Sequence, residues 1–390
     1  MSIKKILMIL MTFSLLVTGC ANDEDSNKIK VSASLFPAYD YVREIAKDNV
    51  DLELILKPGT DIHSFDPTPK DIVNIQKSDL FIYIGTEKWA ESVIKGIDPK
   101  KTKIIRLMDY VELKKQLVTE GMEHSHDHEE HEESHDHEEH EESHDHEEHE
   151  ESHNHEEHEE SHDHEEHEES HDHEEHEENH DHEEHEESHE HEESHEHEGC
   201  NHEINNSSLD YNELLKYDEH IWTSLKNSKK LVYELSNVLS NLDKENKNLY
   251  KKNSEFYIKK LDNLDKDYEK MVKSAKRNEI IIGDRFPFTY LVEDYNLVPN
   301  AAFTGCSSST NASPQTISYL IKKMNKNNIP VIFYLELSNQ KIADSIIEGT
   351  NTKKLELHSL QNFAKKDFDK GISYYEIMKK NYENLKRALN

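Results

Sequence analysis

Short β-branched apolar runs alternate with helical-period segments in two blocks of the chain. In the first block, residues 30–35, 50–56, 80–85 and 103–107 read as strands. Residues 38–47 and 68–76 read as helices, the second started by Pro67 and Pro69. In the second block, strands are expected at 279–282, 301–303, 330–334 and 354–357, and helices at 288–295, 313–324, 340–348 and 371–389. Strands alternating with helices predict parallel sheets covered by helices. Between the blocks, 214–277 carries few breakers, and Leu242, Leu249, Phe256, Ile258, Leu261 and Tyr268 recur at helical spacing. The expected fold is therefore α/β: two parallel-sheet α/β lobes linked by a long rigid helix.

Two stretches depart from this pattern. At the start, Lys4 and Lys5 precede an apolar run over 6–17, which closes on Val17-Thr18-Gly19-Cys20. Small residues before a cysteine at that distance look like the box read by lipoprotein signal peptidase. The run is shorter than the roughly 20 residues needed to span a bilayer. Cys20 is therefore expected to carry a diacyl anchor that holds the chain to the extracytoplasmic face of the cell membrane. The second stretch, 123–202, is low-complexity, with a unit Ser-His-Asp-His-Glu-Glu-His-Glu-Glu that recurs from Ser134 onward. It offers no core-forming residue, so it is expected to be a solvated, disordered insertion. The boundaries that follow are 1–19 for a leader and 20–27 for a lipidated tether. An N-terminal lobe occupies 28–122, the repeat 123–202, a helical segment 203–278 and a C-terminal lobe 279–390.

The tract also explains the charge. The formal net charge is −37, but 40 of the 83 acidic residues fall between Glu123 and Glu198, leaving 43 against 46 Lys and Arg. The folded part is thus close to neutral. Its lysines are scattered without an aromatic-basic stripe, which argues against nucleic-acid binding.

Histidine is the residue that carries chemistry. Of 30 histidines, 27 lie between His124 and His202; the other three are His63, His220 and His358. Each of the three sits at the edge of a predicted element, and loops at the carboxyl ends of parallel strands are where open α/β sheets bind ligands. Neutral imidazole suits Zn²⁺, whose tetrahedral sites take about four such donors or a carboxylate in place of one. Inside the repeat, His131-Glu132-Glu133-Ser134-His135 matches the zinc-protease pattern His-Glu-x-x-His. That pattern is catalytic only on a packed helix in a closed cleft, which a periodic polar repeat does not supply. The tract instead reads as weak, multi-site zinc collection, or as a plain acidic spacer. Its binding should weaken as histidines protonate near their ordinary pKa of about 6.5.

A family resemblance joins these observations. The loop from Pro58 to Asp71 resembles the metal-binding loop of the zinc- and manganese-type solute-binding lipoproteins of bacterial ABC importers. Asp218-Glu219-His220-Ile221-Trp222 resembles the second ligand segment of that family, 283–290 the third and Leu357-His358-Ser359-Leu360 the fourth. The resemblance implies a monomeric binding protein, not an enzyme, that holds its metal between two lobes and delivers it to an ABC permease. It implies His63 and His220 as the first two ligands, with His358 where the family usually has an acid. At the third segment Arg285 stands where His or Glu is common, which leaves Asp284 or a water for that vertex. Glu336 is a further candidate, more in keeping with a structural acid of the cleft. Some zinc-importing relatives pair a cysteine near Cys306 with one two residues beyond the position of His358. Here that position is Leu360, so a Cys200–Cys306 bridge or two unpaired thiols remain. Three imidazoles favour zinc over manganese, which prefers more carboxylate oxygens. A zinc hydrolase or a cell-surface adhesin is the alternative of a different class.

Overall fold

The structure, a computed structural model of the chain, describes residues 28–118, 208–304 and 312–390. Cys20 with the leader and tether, the repeat tract, Cys200 and Cys306 lie outside the described residues.

In the first block, β1 (Ile29–Ala33), α1 (Phe36–Ala46), β2 (Val50–Leu54), α2 (Pro69–Lys77), β3 (Leu80–Tyr83), α3 (Lys88–Ile94) and β4 (Lys103–Arg106) follow one another. Among the described residues their strands form an all-parallel sheet in the order β2-β1-β3-β4. The pleat alternates so little because helices cover both faces: all four residues of β3 are buried. Helix α3 was not expected from the sequence, because its apolar residues Trp89, Ala90 and Val93 make too short a stripe to show periodicity.

The segment 214–277 is two helices, α4 (Leu225–Leu242) and α5 (Lys247–Ser274), broken at 243–246. Asp243 organises that break, accepting from Asn246 Nδ2 at 2.7 Å and from the Tyr250 hydroxyl at 2.6 Å. Helix α5 has 28 residues, so it extends about 42 Å at 1.5 Å per residue and reaches both lobes. It packs on α1 of the first lobe and on α9 (Tyr374–Leu389) of the second. Along α4 and α5 the buried stripe is only partly the one expected, with Leu261 and Tyr268 facing the core as predicted. Leu242, Leu249 and Phe256 are exposed, Phe256 by 74%, whereas Tyr250, Tyr257, Leu261, Leu264, Tyr268 and Met271 face the core. In the first half of α5 the buried face is shifted by one residue, with Tyr250 and Tyr257 inside in place of Leu249 and Phe256.

The second block repeats the architecture of the first. Its elements are β5 (Glu279–Ile282), α6 (Thr289–Asp294), β6 (Val298–Ala301), α7 (Pro314–Asn327), β7 (Val331–Tyr334), α8 (Lys341–Glu348) and β8 (Lys353–Glu356), before α9. The described strands pair in parallel in the order β6-β5-β7-β8. Strand β6 starts three residues earlier than expected and includes Pro299, which reads as a breaker. At a sheet edge the missing N–H leaves no ladder bond unmade.

One core runs through both lobes. Val31, Tyr41, Leu235, Tyr257, Ile282, Phe333 and Tyr374 belong to the same buried cluster. Polar bonds inside it join the halves: Tyr41 donates to Ser228 Oγ at 2.7 Å, and Ser228 Oγ shares a 2.7 Å hydrogen bond with the Tyr374 hydroxyl. The Tyr374 amide donates to Asp40 Oδ2 at 2.7 Å, and Asp40 Oδ1 pairs with Arg43. Burial raises the Asp40 carboxyl to about 6, despite the opposing charge of Arg43 and the Tyr374 amide. A folded-state value above the ordinary 3.8 favours folding while the group is protonated, and that stability is lost as pH rises from about 4 through 6. The loss is on the order of 3 kcal/mol at 1.36 kcal/mol per unit. Asp40→Asn cannot ionise, so urea midpoints at pH 4 and pH 7 should differ less in the variant than in the native chain.

Candidate metal centre

The three histidines outside the tract are all carried by segments that meet at the carboxyl ends of the sheets. His63 lies in the loop between β2 and α2. That loop turns through Gly59 at φ 86, a conformation that favours glycine. An Asx turn then binds it, with the His63 amide donating to Asp61 Oδ1 at 2.8 Å. Thr68 and Asp71 close it with a reciprocal cap on α2. The far lobe also holds this loop. The Gly59 amide donates to Asn362 Oδ1 and Asn362 Nδ2 donates to the Thr60 carbonyl, each at 2.9 Å. His63 itself is 40% exposed.

His220 is buried, in the segment leading to α4. Its Nδ1 lies 2.7 Å from Asp218 Oδ1, which also accepts from the His220 amide at 2.8 Å. Thr289 Oγ1 donates to the other Asp218 oxygen at 2.6 Å. Burial opposes ionisation of Asp218, but the charge and hydrogen bonds of His220, with the Thr289 bond, outweigh it and hold this carboxyl below its ordinary pKa. An ionised carboxylate only accepts, so Nδ1 carries a proton, and in the neutral form of the ring Nε2 presents its lone pair. This is the carboxylate–histidine arrangement that orients metal ligands.

His358 follows β8 and is buried. Asn381 holds its backbone on both sides, accepting from the His358 amide at 2.9 Å and donating to its carbonyl at 2.8 Å. The Leu360 amide donates to His358 Nδ1 at 3.0 Å, so in this arrangement the ring proton lies on Nε2. Ligation through Nε2 therefore requires the proton to move first.

The segments are tied to one another. Trp222 Nε1 donates to the Ser359 carbonyl at 2.8 Å, joining the His220 segment to that of His358. Gln361 Nε2 lies 3.3 Å from His63 Nε2, joining the same segment to the first lobe. Among the described residues no group of three or more His, Cys, Asp or Glu is already gathered closely enough to hold an ion.

Asp284 is not drawn to the histidines. Its Oδ1 accepts from the Arg285 amide at 2.9 Å, and its Oδ2 faces the Leu335 amide at 3.5 Å. Glu336 braces the loop of His358. It accepts from the Ser359 amide at 2.7 Å, from the Ser359 hydroxyl and from the Asn362 amide at 3.3 Å, and lies 3.6 Å from His358 Nδ1.

Glu219, quoted in the second motif but given no role there, stands between two of the histidines. Its Oε1 is 3.7 Å from His63 Nε2 and 3.9 Å from His220 Nε2, while Thr86 Oγ1 donates to its Oε2. Adjacency to His220 in sequence gave no reason for both side chains to face one point. The three residues open on a cavity of about 640 Å³ also lined by Phe65, Glu87 and Tyr211. Glu87, whose pKa burial pushes up, is engaged elsewhere, by Ser34 Oγ at 2.6 Å and the amides of Ile84 and Gly85.

A family description, the periplasmic zinc-uptake complex component A or ZnuA, matches residues 31–388. The chain belongs to this family. It is therefore a zinc-binding component of a zinc-uptake system, a binding protein and not an enzyme. It is 28% identical over 384 residues to the high-affinity zinc uptake system protein ZnuA of Bacillus subtilis, covering 96% of this chain and 94% of that one. It is 24% identical to the zinc-binding lipoprotein AdcA of Streptococcus pneumoniae, over 99% of this chain but only 61% of the longer AdcA. The fold is that of the crystal structure of the Zn(II)-bound ZnuA-like domain of AdcA, with a TM-score of 0.60 at 21% identity, covering 93% of this chain and 99% of that one.

Proposed function

We propose that this ZnuA-family chain captures Zn²⁺ between its lobes with His63, His220 and His358, and hands it to an ABC permease from the outer face of the cell membrane, anchored through Cys20. The observation that carries the reading is the buried Asp218–His220 pair, which fixes one imidazole as a ready metal donor. The bonds from Trp222 and Gln361 support it by tying the His358 segment to the other two. Asp284, the sequence candidate for the remaining vertex, has its oxygens turned to backbone amides, which favours a water or another carboxylate there. The repeat tract would raise the local zinc concentration by offering many weak sites.

Imidazole donors make zinc the preferred cargo over manganese. With equimolar Zn²⁺ and Mn²⁺ offered to the full chain, the cleft should retain zinc. The His63→Ala/His220→Ala variant measured in parallel supplies the contribution of the tract. Preferential manganese retention in the difference between the two would reverse the assignment.

A further inference from the structure

We infer that Glu219 is itself a ligand to the cargo ion and, with His63 and His220, forms a three-donor half-site; the inference rests on the function proposed above. Glu219 Oε1 is a buried oxygen with no hydrogen-bond partner. Leaving a buried acceptor unmatched costs about 1–3 kcal/mol, and more for a charged one. The rest of the carboxylate is deliberately held: Thr86, on the loop after β3, donates to Oε2 and so turns Oε1 toward the two imidazoles. Tyr211 reaches the same loop, its hydroxyl 3.4 Å from the Thr86 carbonyl.

The distances fit a site waiting to contract. Four donors at about 2.0–2.1 Å from a tetrahedral zinc lie about 3.3–3.4 Å from one another. Glu219 Oε1 is 3.7 Å from His63 Nε2 and 3.9 Å from His220 Nε2. Each separation exceeds the liganded value by only about half an ångström. His63 is partly exposed and stands on a loop, so it can make most of that movement. Chemistry agrees with geometry, since one carboxylate among imidazoles is an ordinary zinc donor set. Glu219 also accounts for the vertex at which Arg285 replaces a ligand and Asp284 is otherwise engaged. All three half-site residues line the same cavity, whereas His358 does not line it. His358, whose ring proton must first relocate, then completes the shell from the other lobe.

The test uses the full chain carrying Glu219→Gln, which preserves shape and the Thr86 contact but removes the charge. Zinc affinity is measured against a competing chelator at one equivalent of metal, and one equivalent of Co²⁺ reports coordination through its visible spectrum. Loss of a group behind a ligand typically costs 10–100-fold in metal affinity, so loss of a ligand should cost on the order of 100-fold or more. The Co²⁺ bands should change with it. Glu219→Asp, which keeps a carboxylate, should retain an intermediate affinity, and Thr86→Val should lower affinity about tenfold by releasing Oε2. The metal-free melting temperature of Glu219→Gln should stay near native, because the amide keeps the side-chain volume and an oxygen for the Thr86 hydroxyl. Affinity within about threefold of native, with unchanged Co²⁺ bands, would overturn the assignment. If in that event His63→Ala/His220→Ala still loses tight binding, the ligand role of Glu219 fails and the proposed function stands. If that variant also binds normally, both fall.

Discussion

Replacing His63 and His220 together by alanine is expected to lower one-to-one zinc affinity by at least about 10⁴-fold while leaving the weaker sites of the repeat tract in place. Four-ligand structural zinc sites bind with about 10–16 kcal/mol, so each ligand accounts for about 3 kcal/mol and two for about 6. At 1.4 kcal/mol per decade that is about four decades. The two substitutions should differ in their effect on the metal-free fold. His63 is 40% exposed and carries no core load. His220 is buried, and its removal strands Asp218 Oδ1 with one donor fewer. That costs about 1–3 kcal/mol, so the melting temperature of metal-free His220→Ala should drop while that of His63→Ala holds. Chelator competition on both single variants and the double variant reads the affinities. Undiminished tight binding in the double variant would remove the cleft from the mechanism and leave the tract as the zinc carrier.

Trp222→Ala is expected to be the most destabilising substitution near the site. The indole is 1% exposed, contacts the His220 ring edge-on at 5.3 Å and donates to the Ser359 carbonyl at 2.8 Å. Emptying such a position costs about 3–5 kcal/mol from lost burial and the cavity that remains. Because Ser359 follows His358, the same substitution releases the segment that presents the third imidazole. Zinc affinity should therefore fall together with the urea midpoint. Trp222→Phe separates the two effects. It keeps much of the volume, so stability should recover by more than half. It cannot donate to Ser359, so zinc affinity should stay below native. Full recovery of both in Trp222→Phe would show that the indole acts through packing alone.

The family assignment and the proposed three-histidine site draw on different kinds of information. Segment resemblance extends through most of the chain, and the family match over residues 31–388 agrees with it. The positions of His63, His220 and His358 could be picked out because the rest of the imidazoles crowd into one compositional tract. What each of them does is decided by neighbours that no local pattern names. Asp218 orients His220 from two residues away, and Leu360 holds His358 Nδ1 from the same distance, giving the two rings opposite tautomers. Both contacts depend on backbone conformation, Leu360 at φ 62 for example, which residue type alone does not dictate.

By itself the amino-acid order determined the alternation of strands and helices, the existence of two α/β blocks and the three isolated imidazoles. These are properties of period, propensity and composition, and they act over a few residues at a time. Tertiary structure alone decided which face of α5 is buried, why an edge strand accepts Pro299, and that Asp284 spends its oxygens on backbone amides. It also decided that Glu219 stands between His63 and His220, 156 positions beyond the first in the chain (219 − 63). The reason is physical: a ligand set is defined by where side chains converge in space, and convergence is fixed by sheet order, loop closure and burial, none of which leaves a mark at a single position.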